Sequence, residues 1–276
     1  MNYYVTYLDQ KYLQHAEKLF ELLSKYSKYK ILAYTIDFHY SSKFDNVIPI
    51  YFENKNNTYI DNMFLKPILC KDLILKNTID NFCYLDADIL PFPNCDEIFE
   101  LEKDNEYPLF ARQCHDYIFF NNMNIDNNYE KNLFDYLNLN YSKRMDFYRQ
   151  GCIFLFNYKC NNIIIEWANL CNDKYLKKEY LNYCPAYDEN IINVLLWDKN
   201  HNHHLGRIHI DLPNFNNKNI FDFFYNLSDL KDDEHLYDLF TRIPKKNDFG
   251  KIKFLHGKLN SLQYEVYKLY LQLNFN

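Results

Sequence analysis

Glycine is almost missing from this chain, at 4 of 276 residues. Neither a G-x-G-x-x-G fingerprint nor a G-x-x-x-x-G-K-[ST] phosphate loop occurs. Any nucleotide held here is therefore held by side chains, by other backbone, or through a metal. A basic excess is missing too. The 31 Lys and Arg stand against 37 Asp and Glu, a net charge of -6, which argues against a dedicated nucleic-acid binder. No apolar run approaches the roughly 20 residues that a membrane-spanning helix needs. The opening MNYYVTYLDQKY has an early Asp and no basic segment followed by an apolar one, so no secretory leader is expected. The 8 cysteines form no C-x-x-C pair, which removes a zinc ribbon or a thioredoxin-type motif. Cys83 and Cys152 sit in apolar runs, as small buried thiols do. These absences point to a soluble chain in a reducing cytoplasm, without a transmembrane segment.

What is present is core material: 48% hydrophobic and 19% aromatic residues. That suffices for one large domain, and no repeat or Ser/Gly linker divides residues 1–276. YYVTYL (3–8), KILAYTI (30–36) and NVIPIYF (46–52) read as strands. Pro49 confines the third to an edge or an end. Residues 12–23 carry Tyr12, Ala16, Leu19, Phe20 and Leu23 at helical spacing. LKPILCKDLILKN (65–77) is a second helix, with Pro67 in its first turn. NFCYLDAD (81–88) is the next strand. This alternation predicts an α/β domain with a mostly parallel central sheet flanked by helices. Further on, 107–113, 152–157, 206–210 and 251–256 are strand-like; 161–170, 188–197 and a stretch near 129–138 are helical. The tail, with Leu259, Leu262, Val266, Leu269 and Leu273, predicts a C-terminal helix docked on the core.

The chain's one D-x-D, Asp86-Ala87-Asp88, follows the apolar strand NFCYL. In open α/β sheets, ligands bind beyond the carboxyl ends of the strands. In an extended segment, residues i and i+2 point the same way, so both carboxylates face one point. Two close carboxylates repel unless a cation or a proton lies between them. A hard divalent ion relieves this and keeps positions open for phosphates.

YLDADIL resembles the D-x-D segment of GT-A-fold glycosyltransferases that use nucleotide sugars, in particular the glycogenin-like retaining family-eight group. VTYLDQKYLQHAEKL (5–19) resembles that group's first strand and helix. FLKPILCKDLI (64–74) resembles its Lys- or Arg-bearing segment, and QGCIFLFN (150–157) its Asn-Gly strand. YDENIINVLL (187–196) resembles its Asp-Gln helix start, and KFLHGKLN (253–260) its late His, Gly, Lys element. Gln150 stands where the family has Asn, Glu189 where it has Gln, and His256, Gly257 and Lys258 are adjacent rather than spaced.

The resemblance implies a single GT-A-like domain, with a nucleotide-binding part at about 1–90 and an acceptor and donor-sugar part at about 91–276. It implies Asp86, Asp88 and His256 as ligands of Mn²⁺ or Mg²⁺, an oxygen-and-imidazole set that suits Mn²⁺ better than Ca²⁺. Thr6, Tyr7 and Tyr12 border the base; Lys66, Arg112 and Gln150 contact phosphate or donor sugar; Gly257 and Lys258 meet the pyrophosphate. Asp188 takes a sugar hydroxyl and Glu189 lies near the anomeric carbon. The partners implied are a UDP-sugar donor and a hydroxyl acceptor on a glycan, glycolipid or protein, without nucleic acid. Helix capping by Asp188 and Glu189 is the plainer alternative. For His201, His203 and His204, a polar loop is favoured over a metal site. Two other functions fit parts of the pattern: a D-x-D aspartyl phosphatase, with Asp86 as nucleophile, and a catalytically silent nucleotide-sugar or glycan binder of the same fold.

Overall fold

The computed structural model describes residues 1–55, 58–76, 79–101, 106–112, 129–145, 147–205, 209–211 and 253–256, with Tyr264, Tyr267, Lys268, Leu271, Gln272 and Phe275. Its strands are β1 (Asn2–Leu8), β2 (Lys30–Ile36), β3 (Val47–Phe52), β4 (Asn81–Leu85), β5 (Ile89–Pro91), β6 (Leu109–Arg112), β7 (Arg149–Asn157), β8 (His209–Asp211) and β9 (Phe254–His256). Its helices are α1 (Leu13–Tyr26), α2 (Tyr59–Met63), α3 (Leu65–Leu75), α4 (Tyr129–Tyr136), α5 (Asn161–Cys171), α6 (Lys174–Lys178), α7 (Tyr180–Tyr183) and α8 (Asp188–Asp198).

The central sheet has the order β3-β2-β1-β4-β7-β6. β1 pairs in parallel with β2 and β4, and β2 with β3. β7 runs antiparallel to both β4 and β6, so it alone opposes the other five. β3 is the edge that Pro49 requires. A smaller sheet, β5-β9-β8, lies alongside.

Side chains alternate across β1. Tyr4 and Leu8 pack with Leu19, Phe20 and Leu23 of α1, while Val5 faces the core built with α3, α5 and α8. That core includes Leu69, Leu73, Trp167, Ile191 and Leu195. Full burial of each such side chain contributes about 1.5–3 kcal/mol. The 3-10 turn before α1 is capped by Asp9, whose side chain accepts from the N–H groups of Lys11 and Tyr12. Seven cysteines are buried free thiols; Cys114 lies outside the described residues. No described helix is long and apolar enough to cross a membrane.

Three expectations need correction. The strand foreseen at 81–88 ends at Leu85, because the chain turns at Asp86 to start β5. The strand foreseen at 152–157 begins earlier, at Arg149. The foreseen late strands form a separate three-stranded sheet, in which β9 pairs with both β5 and β8. The apolar stripe of the tail lies outside the described residues. Tyr267 is described: it is buried, stacks on Phe92 at 5.0 Å and donates its hydroxyl proton to the Pro91 carbonyl at 2.6 Å.

Candidate active site

The two aspartates converge through a turn, not through strand alternation. The Asp86 N–H donates to the Cys152 carbonyl at 2.9 Å, continuing the ladder one residue past β4. The Asp86 carbonyl accepts from the Ile89 N–H at 3.1 Å, which closes the turn. The pairing of β5 with β9 sets Ile89 opposite His256 and carries the imidazole to Asp88, Nε2 to Oδ1 at 3.5 Å. One donor atom each of Asp86, Asp88 and His256 lies within 4.8 Å of the others. Burial would raise the Asp88 carboxyl, but the facing His256 holds it below the usual carboxylate range. Two carboxylates and an imidazole at this separation fit a divalent cation.

A second charge cluster adjoins the first. Lys66 of α3 is 7% exposed and donates from Nζ to the Gly151 carbonyl at 2.9 Å. The same nitrogen lies 3.3 Å from Asp86 Oδ1 and 3.6 Å from Asp188 Oδ2. Burial works against its charge, but Asp188 and Asp86 outweigh that and hold its pKa well above the usual lysine range. The Tyr84 hydroxyl donates to Asp86 Oδ1 at 2.8 Å. Asp188 Oδ2 is buried without a hydrogen-bond partner, since Lys66 is at ion-pair distance only. Burial pushes the Asp188 carboxyl up to about 6 despite the ammonium.

Glu189 follows on α8. Its Oε2 accepts from the Gly151 N–H at 2.5 Å. Burial pushes its carboxyl up to about 8, with the Gly151 N–H and Lys66 pulling the other way. The residue before Asp188, Tyr187, has φ 53° and ψ -125°. Such a backbone costs a non-glycine residue about 1–3 kcal/mol and is concentrated at functional sites. It is held by stacking on Tyr180 at 5.6 Å and by edge contact with Phe64 at 5.9 Å. No side chain caps α8, while Asp188 and Glu189 both lie in its first turn, where a helix favours negative charge.

Gly151 is the residue that the sequence reading missed. A Cβ there would lie 3.2 Å from both Glu189 Oε2 and Lys66 Nζ. In a chain with 4 glycines, its presence in a strand was the available signal. Gly151→Ala is expected to fold with a loss of about 1–3 kcal/mol, as overpacking does. Urea unfolding measures it; an unchanged midpoint would mean that the cluster has slack.

The other foreseen residues fall as follows. Tyr7, at the end of β1, donates its hydroxyl to the Asn62 carbonyl at 3.2 Å, and burial raises its pKa. Tyr12 is 37% exposed, and its phenol is raised by burial and then by Asp88, Asp86, Tyr59 and Asp9. Asp9 and Tyr59 both line a cleft of about 510 Å³ at the carboxyl ends of β1 and β2, with Asp37 and Asn62. Tyr12 thus feels acids both of that cleft and of the Asp86–Asp88 pair. Thr6 is buried inside β1, and its hydroxyl has no hydrogen-bond partner. Arg112 pairs across the ladder with Arg149, and both guanidinium groups lie over Phe147, at 5.7 and 4.6 Å. Gln150 meets the His256 ring. Gly257 and Lys258 lie outside the described residues. The histidine cluster lies in a loop, as expected, with His203 exposed; His201 is buried there, against Tyr107 at 4.9 Å. The reason is Arg149 below it, which donates to the carbonyls of His201 and His203. Among the described residues, no group but Asp86, Asp88 and His256 could hold a metal ion.

No protein-family model matches this chain, and no curated protein matches it significantly. Solved structures do. The galactosyltransferase LgtC, in a crystal structure with donor and acceptor sugar analogues, superimposes with a TM-score of 0.55 at 12% identity. The match covers 100% of this chain and 97% of that one. The α/β architecture, with its mostly parallel six-stranded sheet, is thus that of a GT-A glycosyltransferase.

Proposed function

We propose that this chain is a metal-dependent glycosyltransferase that moves a hexose or N-acetylhexosamine from a UDP-sugar to a hydroxyl acceptor, with retention of anomeric configuration. The observation that carries the reading is the convergence of Asp86, Asp88 and His256 beside the Lys66–Asp188 pair, at the sheet end where such a fold binds ligands. When bound, a Mn²⁺-type cation supplies Lewis-acid charge to the diphosphate leaving group.

The chain's own residues do the rest. The cleft lined by Asp9 and Tyr59 takes the uracil and ribose, and Tyr7, Tyr12 and the backbone of Thr6 are assigned to the base. Residues up to about 90 thus form the nucleotide part, and those beyond it the sugar and acceptor part. Lys66 adds fixed positive charge where negative charge builds on the leaving group. Lys258, Gly257 and Arg112 are assigned to phosphate or donor-sugar contacts. The orphaned Asp188 Oδ2 is a ready acceptor for a sugar hydroxyl. Glu189, held by Gly151, lies toward the anomeric carbon. The bond from that carbon to diphosphate breaks as the bond to the acceptor oxygen forms on the same face. The acceptor proton passes to the departing phosphate.

The test is a panel of UDP-hexoses and UDP-N-acetylhexosamines, scored for UDP release with Mn²⁺ and with chelator. One donor is expected to be hydrolysed with Mn²⁺ only. Its transfer product, read by NMR, is expected to be α-linked from an α-linked donor. No release from any donor would defeat the reading, and a β-linked product would replace retention by inversion.

A further inference from the structure

β7 sends two neighbouring residues to two halves of the site. Gly151 touches Lys66 and Glu189, while the amide nitrogen of Gln150, Nε2, lies 3.4 Å from His256 Nδ1. Adjacent strand residues point to opposite faces, so this division follows from the strand itself. Gln150 is 9% exposed, which shields the contact from water. The other ring nitrogen, Nε2, faces Asp88 Oδ1 at 3.5 Å. The imidazole is therefore approached from both ends.

The two nitrogens cannot do the same work. In a neutral imidazole one nitrogen carries the proton and the other the lone pair. A cation needs the lone pair on the nitrogen that faces the carboxylates, which is Nε2. The proton must then sit on Nδ1 and be donated to an oxygen. A glutamine amide offers either its nitrogen or its oxygen at one place by a half turn of its last torsion. With Oε1 turned toward Nδ1–H, the ring is fixed in the tautomer that a metal requires.

We propose that Gln150 is a positioning residue for the cation site: it accepts the Nδ1 proton of His256 and thereby aims Nε2 at the space between Asp86 and Asp88. This rests on the cation role proposed above. Gln150 then acts on the metal through His256 and contacts neither nucleotide nor sugar.

The variants are Gln150→Leu, which removes the acceptor, and Gln150→Glu, which supplies a stronger one. Melting temperature reports folding, and Gln150→Met replaces the Leu variant if that one does not fold. The ¹⁵N shifts of His256 read the tautomer without metal. Electron paramagnetic resonance of free Mn²⁺ reads affinity, with and without UDP. In the wild type the Nδ1–H form is expected to dominate. The Leu variant is expected to lose that preference and to bind Mn²⁺ about 10–100-fold more weakly. The Glu variant is expected to keep both, within about threefold in affinity. An unchanged tautomer and unchanged Mn²⁺ affinity in the Leu variant would overturn the assignment. A wild type that takes up no Mn²⁺, while the Leu variant still shifts the tautomer, would overturn the cation reading itself and leave Gln150 as a residue that orients His256 for some other purpose.

Discussion

Asp86→Asn and Asp88→Asn are each expected to lower sugar transfer by about 100–1000-fold, the usual cost of removing one electrostatic stabiliser of a leaving group. Each should also erase the dependence of UDP affinity on Mn²⁺, because a neutral amide is a poor ligand for a hard cation. The fold should survive. An asparagine at position 86 keeps an oxygen for the Tyr84 hydroxyl, which now donates to Asp86 Oδ1 at 2.8 Å. In chelator Asp86→Asn takes a counter-charge from buried Lys66 and Asp88→Asn takes one from His256, so each is expected to lower stability somewhat. Calorimetry of UDP with Mn²⁺ or chelator, beside a thermal melt, measures both. A folded Asp88→Asn protein with full Mn²⁺-dependent UDP affinity would remove Asp88 from the site.

The first half of the fold was legible because its elements are long enough to show a pattern. β1 is a nearly continuous apolar run of seven residues, and α1 carries a helical stripe over fourteen. β5, β8 and β9 have three residues each, too few for any period. Their pairing nevertheless decides the site, since Ile89 opposite His256 is what brings the imidazole to Asp88. Direction is also unwritten in a hydrophobic pattern: β7 reads as a buried strand, and nothing in RQGCIFLFN says that it runs backwards. Asp86, Asp88 and His256 were legible as a set from family likeness, and the geometry joins them. The role of Gly151 was not, because a close approach depends on two side chains, Lys66 and Glu189, that lie far from it in sequence.

Lys66→Met is expected to cost about 3–5 kcal/mol of stability near pH 8, the range for breaking a buried pair from one side. Methionine keeps the volume and the flexible stem, so the loss is mainly one of charge. The side chains of Lys66 and Asp188 are 9% and 8% exposed, so water cannot take over. Asp188 in the folded protein titrates at about 6 even with the ammonium beside it. The same carboxyl in an unfolded chain titrates at about 3.9. Its folded value is thus raised, so its contribution is fully present below about pH 4 and is lost as pH rises through about 6. Without Lys66 the folded value climbs further and the loss extends to higher pH. The penalty of the variant should therefore be largest at pH 8 and shrink toward pH 5, where Asp188 takes up a proton. Lys66→Met combined with Asp188→Asn should recover part of it, because the charge left unpaired is then gone. Urea unfolding of the four proteins at pH 5 and pH 8 closes the cycle. A coupling energy below about 0.5 kcal/mol at pH 8, the level expected of independent sites, would mean that Lys66 and Asp188 do not act as a pair. In that case the donation to the Gly151 carbonyl at 2.9 Å would be what keeps Lys66 in the core.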